Sequence, residues 1–164
     1  MKEGAYVLCI NVKRPLSLFV GALGKVFFPA GCYAYVGSAR RGIVARVSRH
    51  KRLAMQKEGK LHWHIDHLLM NPHTQWAGEV MLEDGIECEI SRHISTLKGV
   101  TAPVSGFGAS DCRSGCKAHL YLLPQGNPCR NTSVTADLLR TFSRAAGSRR
   151  NTVDPGKSPE LRHS

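Results

Sequence analysis

No run of about 18 apolar residues, the length that a membrane-crossing helix needs, occurs in this chain of 164 residues. Nothing at its start reads as a signal peptide, because Lys2, Glu3 and Gly4 lead straight into a short apolar run. Cysteine is thin: six in 164 residues are too few for a secreted disulfide scaffold. Cys9, Cys32 and Cys88 sit inside apolar patterns and are expected as buried free thiols. Acid is scarce as well. Twelve Asp and Glu stand against 23 Lys and Arg, for a formal charge of +11 and a pI near 9.8. There is no internal repeat, which excludes a solenoid. These absences leave a soluble, cytoplasmic, basic protein with no membrane partner. A length of 164 residues fits one domain, and 42% hydrophobic content is enough for a compact core.

The basic excess is local. Residues 40–60 hold eight Lys and Arg and one acid, Glu58. A concentrated positive patch is the footprint of a polyanion-binding surface, nucleic acid above all. The patch lies in the stretch that organises the chain, residues 31–52. Cys32 to Val36 is aromatic and alternating, as in a strand. Gly37-Ser38 breaks that period, and from Gly42 the apolar residues Ile43, Val44 and Val47 fall at helical spacing. Tyr35 therefore ends a strand just before a helix. Arg46 and His50 lie four apart and share one face of that helix. A phenol, a guanidinium and an imidazole near one helix start suit a phosphate. A solvated basic helix beside a sheet-packing tyrosine is the plainer alternative, and Arg46 could simply pair with Asp66.

The other elements follow from periodicity and punctuation. Residues 4–12 read as a first strand carrying Tyr6. Residues 16–20 and 25–28 read as a hairpin around a glycine-bounded turn. The segment LHWHIDHLLMNP reads as a short helix closed by Asn71-Pro72. Residues 75–82 are a strand. Residues 86–97 form an amphipathic helix on Ile86, Ile90, Ile94 and Leu97, with Glu87 and Glu89 in its first turn. Gly106 and Gly108 bracket Phe107 in a tight loop, and residues 119–123 make a last strand. Residues 134–146 have the pattern of one further helix within a polar tail. The domain is therefore set at residues 1–124, with a basic, largely disordered tail at 125–164. The fold class expected is α/β (α+β): a small sandwich with a central, mainly antiparallel sheet flanked by helices.

Two groups raise a metal. His62, His64, Asp66 and His67 crowd one short helix, but His-x-His spacing does not put both rings on one face. There Asp66 is better suited to orienting a histidine or tying this helix to the basic one. Cys112, Cys116 and His119 offer three ligands where a structural zinc wants four. Cys88 is the one candidate for the fourth, against the weight of the three, and no tightly bound zinc is expected.

Gly4-Ala5-Tyr6 on the first strand, Tyr35-Val36-Gly37-Ser38 on a later one, and Ile43-x-x-Arg46-x-x-x-His50 on the basic helix together resemble the GIY-YIG nuclease signature. The segments YVGSA, HWHIDHLL, and GFGASDC followed by HLY are similar to the Uri-type branch of that superfamily. The resemblance spans residues 4–123. It implies a metal-dependent endonuclease (a hydrolase) that cleaves phosphodiester bonds, with DNA as the expected nucleic acid. The implied catalytic residues are Tyr6, as acceptor of the water proton, Tyr35, positioning the phosphate or supporting Tyr6, Arg46, on the non-bridging oxygens, and His50, reaching the phosphate or the leaving group. A free phenol ionises only near pH 10, so a neighbouring cation such as Arg46 would have to ease its deprotonation. One carboxylate would hold a single Mg²⁺ or Mn²⁺. Glu87 fits the motif better than Glu89, because Ile90 follows Glu87 by three. Ser38, Arg40, Arg41, Arg49, Lys51 and Arg52 are the expected nucleic-acid contacts, with His64, Asp66, Asp111 and His119 in support. Two other functions compete with this one. A non-catalytic nucleic-acid-binding module would use the same basic helix without a metal. A zinc-bound interaction domain would rest on Cys112, Cys116 and His119.

Overall fold

The computed structural model describes residues 3–126 and 133–148. A four-stranded sheet runs in the order β5-β1-β4-β6, from β1 (Gly4–Val12), β4 (Gly31–Ala39), β5 (Thr74–Glu83) and β6 (Leu120–Leu122), with every pair antiparallel. The strands β2 (Leu16–Phe19) and β3 (Lys25–Phe28) form a separate hairpin. Helices α1 (Ile43–Gln56) and α2 (His64–Leu69) cover one face of the sheet, and α3 (Glu87–Ser95) and α4 (Ser133–Ser148) cover the other. The chain is thus an α/β protein, as expected, with the sheet as its middle layer.

Strand β1 explains the layering. Its successive side chains point to opposite faces. Tyr6, Leu8, Ile10 and Val12 join the core under α1, α2 and Phe107. Ala5 and Val7 join the core with Ile90 and Ile94 of α3 and Val134 and Leu138 of α4. A central strand buried on both faces needs a continuous apolar run, and GAYVLCINV supplies one. Helix α4 falls within the segment expected as a tail. Its Val134 and Leu138 pack into the second core, so the folded body extends past residue 124. Residues 127–132 and 149–164 lie outside the described residues.

The buried stripe of α1 is Ile43, Val47, His50 and Ala54, with Leu53 beside it. Val44, counted with the apolar residues by spacing, is 61% exposed, and His50 takes a core position at 1%. Two of the basic residues of this stretch are likewise engaged internally. Lys57 donates to the carbonyls of Leu69 and Thr74, at 2.8 and 2.7 Å. Arg49 makes two bonds to Asp66. Among the cysteines, Cys9 is a buried free thiol, Cys32 is half-buried and disulfide-bonded, and Cys88 is a half-buried free thiol. Only Cys9 therefore matches the expected buried thiol. No helix among the described residues is long and apolar enough to cross a membrane.

Candidate active site

Strand register brings the two tyrosines together. In the β1–β4 ladder Tyr6 stands opposite Gly37, and Tyr35 stands opposite Leu8. Tyr6 and Tyr35 are thus diagonal neighbours on one face, within reach of aromatic side chains. The ring of Tyr6 lies across Gly37: a Cβ there would sit 2.4 Å from Tyr6 Cζ and its hydroxyl oxygen. Gly37 does not break the strand as expected but lies within β4, where it is a slot for the first tyrosine. Gly108 does the same for the second. Its φ of +70° suits glycine, and a Cβ would come within 2.9 Å of Tyr35 Cε2.

Strand β6 pairs with Tyr33 to Tyr35 of β4, and flanking bonds from Val36 N–H to the His119 carbonyl and from Leu123 N–H to the Cys32 carbonyl extend the contact, so the end of β4 from Gly37 to Ala39 forms an open edge. Here the two layers share one cavity of about 230 Å³, lined by Tyr6, Tyr35, Arg46, Trp63, Glu87 and His119, among others. Glu87 comes from the opposite layer, in the first turn of α3. Its Oε2 accepts a hydrogen bond from Ser38 Oγ at 3.1 Å, and its Oε1 lies 3.4 Å from His119 Nδ1. Asp111 lines the cavity as well, whereas Glu89, the rival carboxylate, does not.

Behind Tyr6 runs a polar chain. The Tyr6 hydroxyl meets His50 Nε2 at 2.9 Å, and His50 Nδ1 faces Asp66 Oδ1 at 3.3 Å. The second approach lacks hydrogen-bond alignment, so Nδ1 has no hydrogen-bond partner. His50 is buried beneath Tyr6 and does not line the cavity, so it does not reach a phosphate or a leaving group. Asp66 is the hub of this layer. Besides Arg49 and His50 it accepts the backbone N–H groups of His62 and Trp63, at 2.8 and 3.1 Å. Burial opposes its ionisation, but the close approach of His50 and the bonds from Arg49 and these N–H groups outweigh burial and hold its carboxyl well below the ordinary range.

Burial also governs the tyrosines. It pushes Tyr6 well above the usual phenol value, although the Arg46 charge pulls the other way. Tyr35 is raised too, first by burial and then by Tyr6 and Glu87. Both are neutral phenols at pH 7, so the cation expected to ionise Tyr6 is overruled by desolvation. Arg46 does not pair with Asp66. Its guanidinium lies 4.2 Å from the Trp63 ring centroid, with Arg49 at 4.8 Å. Trp63 thus holds Arg46 at the cavity wall by a cation–π contact.

Among the described residues, the histidines of HWHID are not gathered into a cluster of metal-ligand atoms. His62 is exposed, and His64 Nδ1 accepts the N–H of Gly108 at 2.9 Å, which fixes the glycine loop. The structure brings Tyr6, Tyr35, Ser38, Arg46, Glu87, Asp111 and His119 to one cavity, with His50 and Asp66 immediately behind Tyr6. Arg40, Arg41, Lys51 and Arg52 stay exposed outside it, and Lys51 lies 3.7 Å from Glu79. Trp63 is not recognisable from sequence because an aromatic in an apolar pattern looks like core, and its two arginine partners lie on another helix.

One family model matches residues 5–141, well over half of the chain. The chain belongs to that family, a domain of unknown function known as DUF123. The match includes every cavity residue and runs into α4, consistent with α4 as part of the fold. No curated protein and no solved structure matches the chain.

Proposed function

We propose that this DUF123 protein is a metal-dependent endonuclease of the GIY-YIG type, close to the Uri branch, acting on nucleic acid, DNA in the first instance, in the cytoplasm. The observation that carries the reading is the shared cavity at the open end of β4. It gathers Tyr6, Tyr35, Arg46 and Glu87, the residues the motif resemblance nominates, from both layers of the sandwich.

The chemistry follows from that arrangement. Arg46 takes the non-bridging oxygens of the scissile phosphate, where a planar fork fits better than an ammonium. Glu87 would hold the cation. It fits, because Mg²⁺ keeps most of its waters and one protein carboxylate at a polar cavity suffices. When bound, Mg²⁺ or Mn²⁺ supplies positive charge against the charge that develops on phosphorus oxygens. A water oxygen attacks phosphorus while its proton moves to the Tyr6 oxygen. The phenol proton of Tyr6 passes in the same step to His50 Nε2. The bond from phosphorus to the leaving oxygen breaks, and that oxygen takes a proton from solvent. Tyr6 therefore works as a neutral relay and never as a phenolate, in keeping with its raised pKa. His50 is the proton acceptor, and Asp66 stabilises the imidazolium. Tyr35 braces Tyr6, and the exposed cations of α1 and the turn before it hold the flanking phosphates.

The test is a panel of duplex, branched and single-stranded DNA and RNA with Mg²⁺ or Mn²⁺, with Tyr6→Phe as control. Metal-dependent cleavage lost in Tyr6→Phe supports the reading. Salt-sensitive binding with no cleavage under any metal would assign the binding-only function instead.

A further inference from the structure

Beside the cavity stands a second group of side chains that the proposed nuclease chemistry does not use. Cys88 lies in the first turn of α3, Cys112 and Cys116 in the loop after the glycine turn, and His119 just before β6. One ligand atom from each lies within 4.8 Å of all the others. Cys88 Sγ and Cys112 Sγ are 3.5 Å apart. A tetrahedral zinc with Zn–S bonds of ~2.3 Å sets its ligand atoms about 3.8 Å apart, so the four need to shift by no more than about 1 Å. Cys88, Cys112 and Cys116 are all free thiols.

His119 supplies an independent sign. Its ring is 2% exposed, and neither ring nitrogen has a hydrogen-bond partner. Buried imidazole nitrogens are seldom left so. The backbone is shaped for the same end: Gly115, at φ +77°, turns the chain tightly between the two loop cysteines.

We propose that Cys88, Cys112, Cys116 and His119 bind one structural zinc ion, which clamps the glycine loop and the edge of β6 to the first turn of α3. Three thiolates and one imidazole form a closed, soft set that suits Zn²⁺ and leaves no open position for catalysis. Against the expectation of no tight zinc, the fold brings Cys88, the candidate fourth ligand, to the other three from a helix that begins 25 residues before Cys112. The ion has a role in the neighbouring cavity. Cys88 adjoins Glu87, and His119 gives one ring nitrogen to the ion while its Nδ1 side faces Glu87, as outer-shell carboxylates do for zinc-bound histidines. Zinc thus fixes the wall of the cavity that carries Glu87, Cys112 and His119.

The inference does not rest on the nuclease reading, because its test reads metal and thiols. The full chain, purified under reducing conditions without added metal, is assayed by elemental analysis and then alkylated before and after chelation, with the modified cysteines mapped by mass spectrometry. The expected result is one zinc per chain, with Cys88, Cys112 and Cys116 protected until the chelator removes it. Cobalt exchanged into the site should give a thiolate charge-transfer band and the intense visible bands of a tetrahedral ion. Cys88→Ser should lose the stoichiometric zinc. Should that variant fail to fold, the alkylation pattern of the unmodified chain decides. Metal-free protein whose three thiols alkylate equally with and without added zinc, or a Cys88–Cys112 disulfide in their place, overturns the proposal. Full zinc with no cleavage of any nucleic acid would support the site and reject the nuclease.

Discussion

At the scale of single residues, Asp66 has the clearest stability role. Its carboxylate is fully buried and charged, held by Arg49, His50 and two backbone N–H groups. Removing one member of a buried charged cluster typically costs about 3–5 kcal/mol. Asp66→Asn should destabilise the fold by about that much, read as a lower urea midpoint at an unchanged slope. The pH dependence has a definite sign. The folded-state pKa of Asp66 is depressed below its ordinary 3.8, so its contribution is complete above that value and is lost as pH falls below it. Wild-type stability should therefore drop from about pH 4 downward, and Asp66→Asn should flatten that slope. Gly37 gives a second test. A methyl there meets the Tyr6 ring at 2.4 Å, and overpacking of this kind costs about 1–3 kcal/mol. Gly37→Ala should move Tyr6 off His50 and lower cleavage about as far as Tyr6→Phe does, with the charge of the site unchanged.

At the scale of elements, α1 does two jobs on two faces. Its inner stripe builds the relay, and its outer face, with the turn before it, presents Arg40, Arg41, Lys51 and Arg52 to solvent. Triple reversal of Arg40, Arg41 and Arg52 to glutamate should weaken binding to all sequences alike. It should also reduce the salt slope by about 0.9 for each duplex phosphate that is no longer neutralised, as measured by fluorescence anisotropy across a salt series. Arg49→Glu should instead unfold the protein, since Arg49 is held by Asp66, Lys60 and Trp63. Most elements were legible in the sequence, because strand and helix periods alternate cleanly and Gly and Pro mark the breaks. Tyr6, Tyr35, Arg46 and Glu87 were legible through motif order. Contacts between distant segments were not. Nothing in the spacing of Arg49 says that it pairs with Asp66, that Trp63 stacks on Arg46, or that Cys88 joins a loop 24 residues away. Nor could periodicity show that His50 occupies a core position, since a histidine on a basic helix reads as one more polar residue.

At the scale of the whole molecule, two layers meet at one strand end. The sheet face under α1 supplies Tyr6 and Tyr35, α1 itself supplies Arg46, and the layer of α3 supplies Glu87. A fold that only bound nucleic acid would need the outer face of α1 and not this convergence. The central claim is that the convergence cleaves phosphodiester bonds. The most direct measurement is nicking of supercoiled plasmid by the full chain in Mg²⁺ or Mn²⁺, with Tyr6→Phe and Glu87→Gln alongside. The wild type should nick only with metal present. Tyr6→Phe should slow cleavage by about 10²–10⁴, the usual contribution of a positioned proton-transfer group, at a stability loss near 1 kcal/mol for one hydrogen bond. Glu87→Gln should abolish metal-dependent nicking and bind the plasmid at least as tightly as the wild type. Nicking at wild-type rate in both variants, or none by the wild type in either metal, would contradict the account.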